Sequence, residues 1–373
     1  MILISAQAFP PKPGGIQYLL AGTAEHIAKS GYDVTVFADG GNEAKSWDQE
    51  QDTSYDVERF SGFKPLRRRQ KASRIKSFYK RGDAQALYAD SWKSLEYAEK
   101  SDNVPIVVWA HGNEFPLDGA KKGRISKALQ KADHILFNSK ETQRRAKQFC
   151  SAKTASSIVH PPLNEPVPAS REDKLAIDEL WREHHPKLVC LCRLVEWKGV
   201  DRSIGAMPAI LKEHPKALLV IAGVGNDRTR LEKLADELDV RENVVFIGWI
   251  EGGRKTAFLN SADLYIQPGR TVNGEEEGYG ISYVEAALHG LPSISGNVGG
   301  APEAVIHGET GLVVDANHQK NVTTATLSIL ADQSRLQEYK NAARAHGQSC
   351  LWQNQIGRVL GAAGIKPREQ VGS

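Results

Sequence analysis

The sequence predicts an α/β protein of two parallel-sheet domains. Three observations predict it. The chain has 373 residues, enough for two domains of ordinary size. Short apolar runs alternate with helix-like stretches, the pattern of parallel strands joined by crossover helices. That alternation occurs twice, on either side of a proline cluster without periodicity, His160-Pro161-Pro162-Leu163-Asn164-Glu165-Pro166-Val167-Pro168. The expected architecture is therefore two Rossmann-like halves facing across a cleft, with ligands at the carboxyl ends of the strands.

The first alternation opens with Ile2–Ile4 as a strand. A Pro/Gly loop, Phe9-Pro10-Pro11-Lys12-Pro13-Gly14-Gly15, leads into a helix over Ile16–Lys29, closed by Ser30-Gly31. Asp33–Ala38, Pro105–His111 and His134–Asn138 read as further strands, while residues 40–103 show no clear period. After the proline cluster, Arg171–His184 is helix-like. Strands are expected at Leu188–Leu194, Ala217–Ala222, Val244–Ile247, Leu264–Gln267 and Pro292–Ser295. Helices are expected between them at Val200–Lys212, Arg228–Leu238, Lys255–Ser261 and Ile281–His289. The domains are placed at residues 1–165 and 166–347, with 348–373 a tail packing back toward the first domain.

Composition narrows the class. The chain is 40% hydrophobic and 25% charged, with a formal net charge of +3, too mild to argue for nucleic acid. Residues 1–165 hold the basic excess, 25 Lys and Arg against 19 Asp and Glu. The four cysteines show neither zinc spacing nor a disulfide framework, and Cys190 and Cys192 are read as core on one strand face. The amino end opens as a strand rather than a leader, and no apolar run is long enough to span a bilayer. A cytoplasmic protein is expected.

Four segments carry candidate chemistry. The strongest is Glu277-Gly278-Tyr279-Gly280-Ile281-Ser282-Tyr283-Val284-Glu285, two carboxylates eight apart around glycines and a helix start. Glycines let backbone approach a ligand, and the helix start offers N–H donors; Glu277 is expected on the loop and Glu285 about two turns into the helix. Arg193 and Lys198 stand five apart on the turn after a strand, where a pair of cations can clamp a diphosphate. Gly14-Gly15 precede the first helix and suit a phosphate, though no Walker lysine follows. His111 ends a strand at the expected cleft. Taken singly, each has a plain alternative: capped-helix glutamates, solvated cations, a simple turn, a satisfied histidine.

Together these segments resemble the family-4 retaining glycosyltransferases of GT-B fold. The Phe9–Gln17 loop looks like that of bacterial phosphatidylinositol mannosyltransferases and their envelope-polysaccharide relatives. Arg193…Lys198-Gly199, Gly223-Val224-Gly225, Glu277…Glu285 and Gly299-Gly300-Ala301-Pro302-Glu303 follow in family order, most densely over residues 188–315. The interdomain segment departs from the pattern, with Leu163-Asn164 where a glycine usually follows the prolines.

The resemblance implies an acceptor-binding first domain and a donor-binding second one. His111, Arg193, Lys198 and Glu277 would be catalytic. Gly15, Gly225, Trp249, Ile250, Tyr279, Gly280, Ile281 and Glu285 would hold the donor, with Gly14 and Gly15 toward the acceptor. The implied reaction is retaining transfer of a hexose from a nucleotide-diphosphate sugar, GDP-mannose favoured, to a glycolipid, lipopolysaccharide or polysaccharide precursor. A UDP-hexose donor, a nucleotide-sugar 2-epimerase or phosphorylase, and a non-catalytic relative are the alternatives. An NAD-linked oxidoreductase fails because Gly223-x-Gly225 lacks a third glycine. No Asp-x-Asp triplet occurs, so no metal and no cofactor are expected. Lys64–Arg81 holds nine cations and no acid, interleaved with Ile75, Phe78 and Tyr79, and suits an anionic membrane surface on the cytoplasmic side.

Overall fold

The structure, a computed structural model, describes residues 1–116, 118–119 and 121–368. The chain divides into two compact units, residues 1–164 joined by the chain from Leu351 onward, and residues 165–350. The boundaries expected at 165/166 and 347/348 thus fall at 164/165 and 350/351. Of the expected tail, residues 369–373 lie outside the described residues.

Among the described residues, the first unit holds strands β1 (Ile2–Ala6), β2 (Val34–Asp39), β3 (Asp56–Phe60), β4 (Ala86–Ala89), β5 (Ile106–Ala110), β6 (His134–Phe137) and β7 (Ala155–Ile158). Helices α1 (Gly15–Lys29), α2 (Asn42–Glu50), α3 (Lys64–Arg81), α4 (Lys122–Leu129) and α5 (Lys140–Ala146) connect them. The strands form one parallel sheet in the order β3-β2-β1-β4-β5-β6-β7. β1, β4 and β5 are buried throughout, as parallel strands covered on both faces must be.

The second unit runs α6 (Arg171–Trp181), β8 (Lys187–Leu191), α7 (Val200–Glu213), β9 (Leu218–Ala222), α8 (Arg228–Glu237), β10 (Val244–Gly248), α9 (Gly252–Ser261), β11 (Leu264–Gln267), α10 (Ile281–Leu288), β12 (Ser293–Gly296), α11 (Ala301–Ala304), β13 (Gly311–Val314), α12 (Gln319–Leu330) and α13 (Gln333–Ser349). Its parallel sheet has the order β10-β9-β8-β11-β12-β13. Strand order reverses between β1 and β4 in one sheet and between β8 and β11 in the other. Loops leaving neighbouring strands at such a reversal run to opposite faces and open a crevice at the carboxyl edge.

The stretch at 40–103 resolves into α2, β3, α3 and β4. Helix α6 ends at Trp181, three residues short of the expected His184. Strand β8 stops at Leu191, so Cys190 is buried in the core while Cys192 lies beyond the strand and half-buried.

After α13 the chain returns to the first unit as α14 (Trp352–Gly361), which packs on α1. The Trp352 backbone N–H donates to Leu163 O at 3.0 Å, and the Tyr88 hydroxyl donates to Val359 O at 2.9 Å. The Trp352 indole stacks on His26 with ring centroids 5.2 Å apart. It also fills the space a side chain at Gly22 would need, since a Cβ there would lie 2.4 Å from its Nε1. Trp352→Ala is expected to destabilise the first unit by about 3–5 kcal/mol, because the cavity it leaves is lined by α1 and cannot collapse. Urea unfolding followed by intrinsic fluorescence measures this.

Candidate functional site: the carboxyl edges of the two sheets

In the second unit the loop after β8 carries Arg193 and Lys198, and the loop after β11 carries Glu277. These loops leave adjacent strands at the reversal point. They touch because Gly199 sits in the left-handed region with φ 74°, where a Cβ would lie 2.0 Å from Pro268 O. Backbone packs directly on backbone there. The result brings Lys198 Nζ within 2.5 Å of Glu277 Oε2, with each side chain only 11–12% exposed.

Glu277 is buttressed from its other side by Gly299 (φ 62°) and Gly300. A Cβ on Gly299 would meet Glu277 O at 2.0 Å, and the Gly300 N–H donates to that same oxygen at 2.8 Å. The glycine pair seen in the sequence therefore serves the Glu277 loop. Gly225 has a similar role, pressed against Leu194 O in the loop after β8.

Trp197, which sequence reasoning passed over, lies between the two cations. The Arg193 guanidinium stands 5.9 Å and Lys198 Nζ 4.6 Å from its ring centroid. An indole face attracts cations, so one buried ring is shared by both side chains. Its place between Arg193 and Lys198 was the available signal. Arg193 is exposed and makes no ion pair among the described residues. Burial pushes the neighbouring Cys192 thiol up to about 12, so it stays neutral beside the pair.

Gly280, the N-cap of α10, is followed by Ile281 as the first helical residue, and Tyr279 is buried beneath them. Glu285 is the fifth residue of α10. It therefore sits just over one turn into the helix, not two, since α10 begins only at Ile281. Its carboxylate pairs with Lys255 of α9 at 2.7 Å, a second partner the sequence did not suggest. Trp249, 45% exposed, and buried Ile250 lie between β10 and α9, just before the helix that carries Lys255. Arg193, Lys198, Glu277, Glu285, Gly225, Trp249, Ile250, Tyr279, Gly280 and Ile281 thus all occupy loops and helix starts beyond the carboxyl ends of β8 to β11.

His111, Gly14 and Gly15 belong to the first unit. Helix α1 begins at Gly15, one residue earlier than expected. Asp90, at the end of β4, is buried and organises this edge. Its carboxylate accepts the Gln7 and Ala8 N–H groups at 2.7 and 3.0 Å and the Ser94 hydroxyl at 2.6 Å. The His111 ring meets Asp90 O through Nε2 at 3.0 Å. A carbonyl only accepts, so Nε2 carries the proton. Burial lowers the His111 pKa to about 4 despite the nearby Asp90, leaving the ring neutral at pH 7. Glu114 accepts the His111 N–H at 2.8 Å, yet burial raises its pKa to about 8.

The basic segment is α3, and its apolar residues Ile75 and Phe78 do not face outward. Ile75 and Phe78 are core, 2% and 6% exposed. Among the described residues six of its nine cations are paired: Arg67 and Lys71 with Asp39, Arg68 with Glu96, Arg74 with Glu58, Lys76 with Glu99 and Arg81 with Asp83. Lys71 is itself buried, which lowers its pKa, and donates to Ala6 O at 2.8 Å. The expectation of a membrane-facing Ile75 and Phe78 is thus corrected. Exposed apolar residues sit instead at the start of the helix, Phe63 at 76% and Leu66 at 56%.

With this geometry in place, comparisons with known proteins assign the family. Residues 172–346 match the profile of the glycosyl transferases group 1, and residues 13–165 that of glycosyltransferase family 4. The chain is 31% identical over 352 residues to a GDP-mannose-dependent alpha-(1-6)-phosphatidylinositol monomannoside mannosyltransferase of Mycolicibacterium smegmatis, covering 90% of both chains. The chain belongs to glycosyltransferase family 4. This glycosyltransferase is also 31% identical over 361 residues to the GDP-mannose-dependent monoacylated alpha-(1-6)-phosphatidylinositol monomannoside mannosyltransferase of Corynebacterium glutamicum, covering 92% of each. Its fold matches the UDP complex of HepE from Anabaena with a TM-score of 0.78 at 17% identity, over 97% of this chain and 99% of that one. WaaG, a glycosyltransferase involved in lipopolysaccharide biosynthesis, matches with a TM-score of 0.65 at 17% identity over the full length of both. The expected GT-B fold is therefore the fold of this glycosyltransferase.

The raised Glu114 pKa has a consequence for stability. A carboxyl that holds its proton to about 8 when folded, but to 4.5 when unfolded, stabilises the fold below 4.5 and loses that contribution as pH rises toward 8. The isosteric Glu114→Gln stays neutral. It is expected to melt increasingly above the parent as pH rises from 5 to 8, by on the order of a few degrees at pH 8, as scanning calorimetry across that range reads.

Proposed function

We propose that this glycosyltransferase moves mannose, with retention, from GDP-mannose to a membrane glycolipid of the phosphatidylinositol-mannoside type, without a metal. The carrying observation is the Lys198–Glu277 pair at the reversal point of the second sheet. Donor and acceptor follow the relatives at 31% identity, whose names specify GDP-mannose and phosphatidylinositol mannosides.

A partly buried ion pair is weak evidence of a stabilising role, because desolvating two charges costs about what their attraction returns. Such a pair is better explained by what each member does when its partner is exchanged. A nucleotide sugar offers a diphosphate to Lys198 and hydroxyl donors to Glu277. Both then leave their mutual contact for a complementary group, and neither is left uncompensated.

As the anomeric bond breaks, the electron pair goes to the leaving diphosphate, which gains charge. Arg193 and Lys198 neutralise it, aided by the positive end of α10. The departing phosphate takes the acceptor hydroxyl's proton, and the acceptor oxygen bonds the sugar on the face just vacated. Glu277 holds the sugar hydroxyls, with the backbone N–H groups of Tyr279, Gly280 and Ile281, and Glu285 the ribose. Trp249 and Ile250 line the base, Gly225 keeps the loop after β8 in place, and neutral His111 contacts the sugar. Gly14 and Gly15, at the start of α1, meet phosphate. The absence of an Asp-x-Asp triplet supports metal independence, since the cations already supply the charge.

In a purified full-length preparation, labelled mannose is expected to pass from GDP-mannose to lipids containing phosphatidylinositol mannosides, undiminished by EDTA. GDP is expected to raise the melting temperature more than UDP or ADP. Folded Lys198→Ala is expected to lose about 10²–10³ in kcat, the usual loss for one oriented charge-stabilising donor. Full turnover in that variant, or no shift with any of the three nucleotides, overturns the proposal.

The acceptor implies a membrane at the cytoplasmic face. Phe63 and Leu66, flanked by exposed Lys64 and Arg69, form an apolar tip with a basic rim, suited to anionic lipid. Phe63→Ser with Leu66→Ser is expected to weaken sedimentation with phosphatidylglycerol vesicles by about tenfold while leaving GDP binding intact.

A further inference from the structure

Gln267, the last residue of β11, is 0% exposed and lies at the reversal point beside Glu277. A buried primary amide has to place both its donor and its acceptor ends. Its Nε2 lies 3.5 Å from Glu277 Oε2. Its Oε1 lies 2.7 Å from the Tyr265 hydroxyl and 3.3 Å from the Ser282 hydroxyl. An ionised carboxylate only accepts, so the NH₂ group faces Glu277 and the amide oxygen faces the two hydroxyls; Ser282 donates to it, and Tyr265 shares its one proton between it and Leu191 O at 2.9 Å. The main chain is fixed as well, since Gln267 O takes the Tyr283 hydroxyl at 2.5 Å. Neither position nor orientation of this amide is free.

Both protein donors to the Glu277 carboxylate converge on one oxygen. Lys198 Nζ and Gln267 Nε2 each address Oε2. Among the described residues, Oε1 of Glu277 has no hydrogen-bond partner.

We propose that Gln267 is a positioning residue that fixes the rotation of the Glu277 carboxylate, anchoring Oε2 and presenting Oε1 to the donor's sugar hydroxyls. The inference rests on the donor-site reading above. Lys198 is shared between Glu277 and the diphosphate, so it cannot hold Oε2 throughout the reaction. Gln267, enclosed and without charge, has no competing partner on the donor and keeps the carboxylate oriented when Lys198 turns away. The hydroxyls of Tyr265 and Ser282 extend this support one layer deeper.

Gln267→Met keeps the volume and removes the donor. Its kcat/KM for GDP-mannose is expected to fall by about tenfold or more, the effect of unpairing one buried donor to a charged group. Its affinity for GDP, which lacks the sugar, stays at the parent value. Gln267→Glu gives a signature that a packing role does not. A protonated carboxyl donates to Oε2 as the amide does, whereas an ionised one repels it. That variant is expected to retain turnover at pH 6 and lose it progressively toward pH 9, relative to the parent. Tyr265→Phe, which removes one hydroxyl from Oε1, is expected to show a smaller loss of kcat/KM with unchanged GDP affinity. It decides the matter if Gln267→Met does not fold.

Parent-level kcat/KM in Gln267→Met, or in Tyr265→Phe where the first is unfolded, overturns the inference, as does a pH profile of Gln267→Glu parallel to the parent's. Failure of the unsubstituted protein to bind GDP or transfer mannose overturns instead the donor-site reading itself.

Discussion

The second sheet reverses its strand order between β8 and β11, and the chemistry of this protein depends on that reversal. It places the Arg193–Lys198 turn and the Glu277 loop side by side at the ends of neighbouring strands that are far apart in sequence. Contact then requires backbone to meet backbone, which Gly199 permits at Pro268 and Gly299 permits at Glu277. The buried Trp197 ring is within reach of both cations and ties them to one turn. A larger residue at any of these glycines moves a charged group rather than merely loosening a loop.

The two alternations of strand and helix were legible because parallel strands buried on both faces are apolar runs, and β1, β5, β8, β9 and β11 are such runs. Residues 40–103 were not. β3 is an edge strand with a mixed sequence, Asp-Val-Glu-Arg-Phe, and β4 has only four residues. The sequence also showed which residues carry charge near the donor loops, but not whom they face. Lys255 is one cation among many until α9 is packed against α10, and Gln267 looks like any polar strand end until its two hydroxyl partners are in place. The Lys255–Glu285 and Lys198–Glu277 pairs span 30 and 79 residues, and the Gln267 contacts depend on how α10 packs on β11, so none leaves a local pattern to read.

Segment α3 shows how far a count of charges differs from a charged surface. Nine cations without an acid within the helix read as an outward basic face. The acids are supplied by β2, β3 and the loops after β4, and several of the cations turn inward to meet them. Lys71 goes furthest, capping the end of β1 through Ala6 O. Helix α3 thus closes the carboxyl edge of the first sheet through Lys71, and its exposed large apolar residue, Leu66, lies in its first turn.

The return of the chain to the first unit through α14 sets an order on biosynthesis. The surface of α1 around Gly22 and His26 is covered by Trp352, which follows the whole of residues 165–350. At roughly 5–20 residues per second of translation, that surface waits on the order of fifteen to sixty-five seconds for its cover. When that interval ends, the later unit has just received its full complement of residues, and the earlier one still lacks the rest of its last helix. The half of the protein made first is therefore the half that matures last, and it is the one that needs shielding at the ribosome.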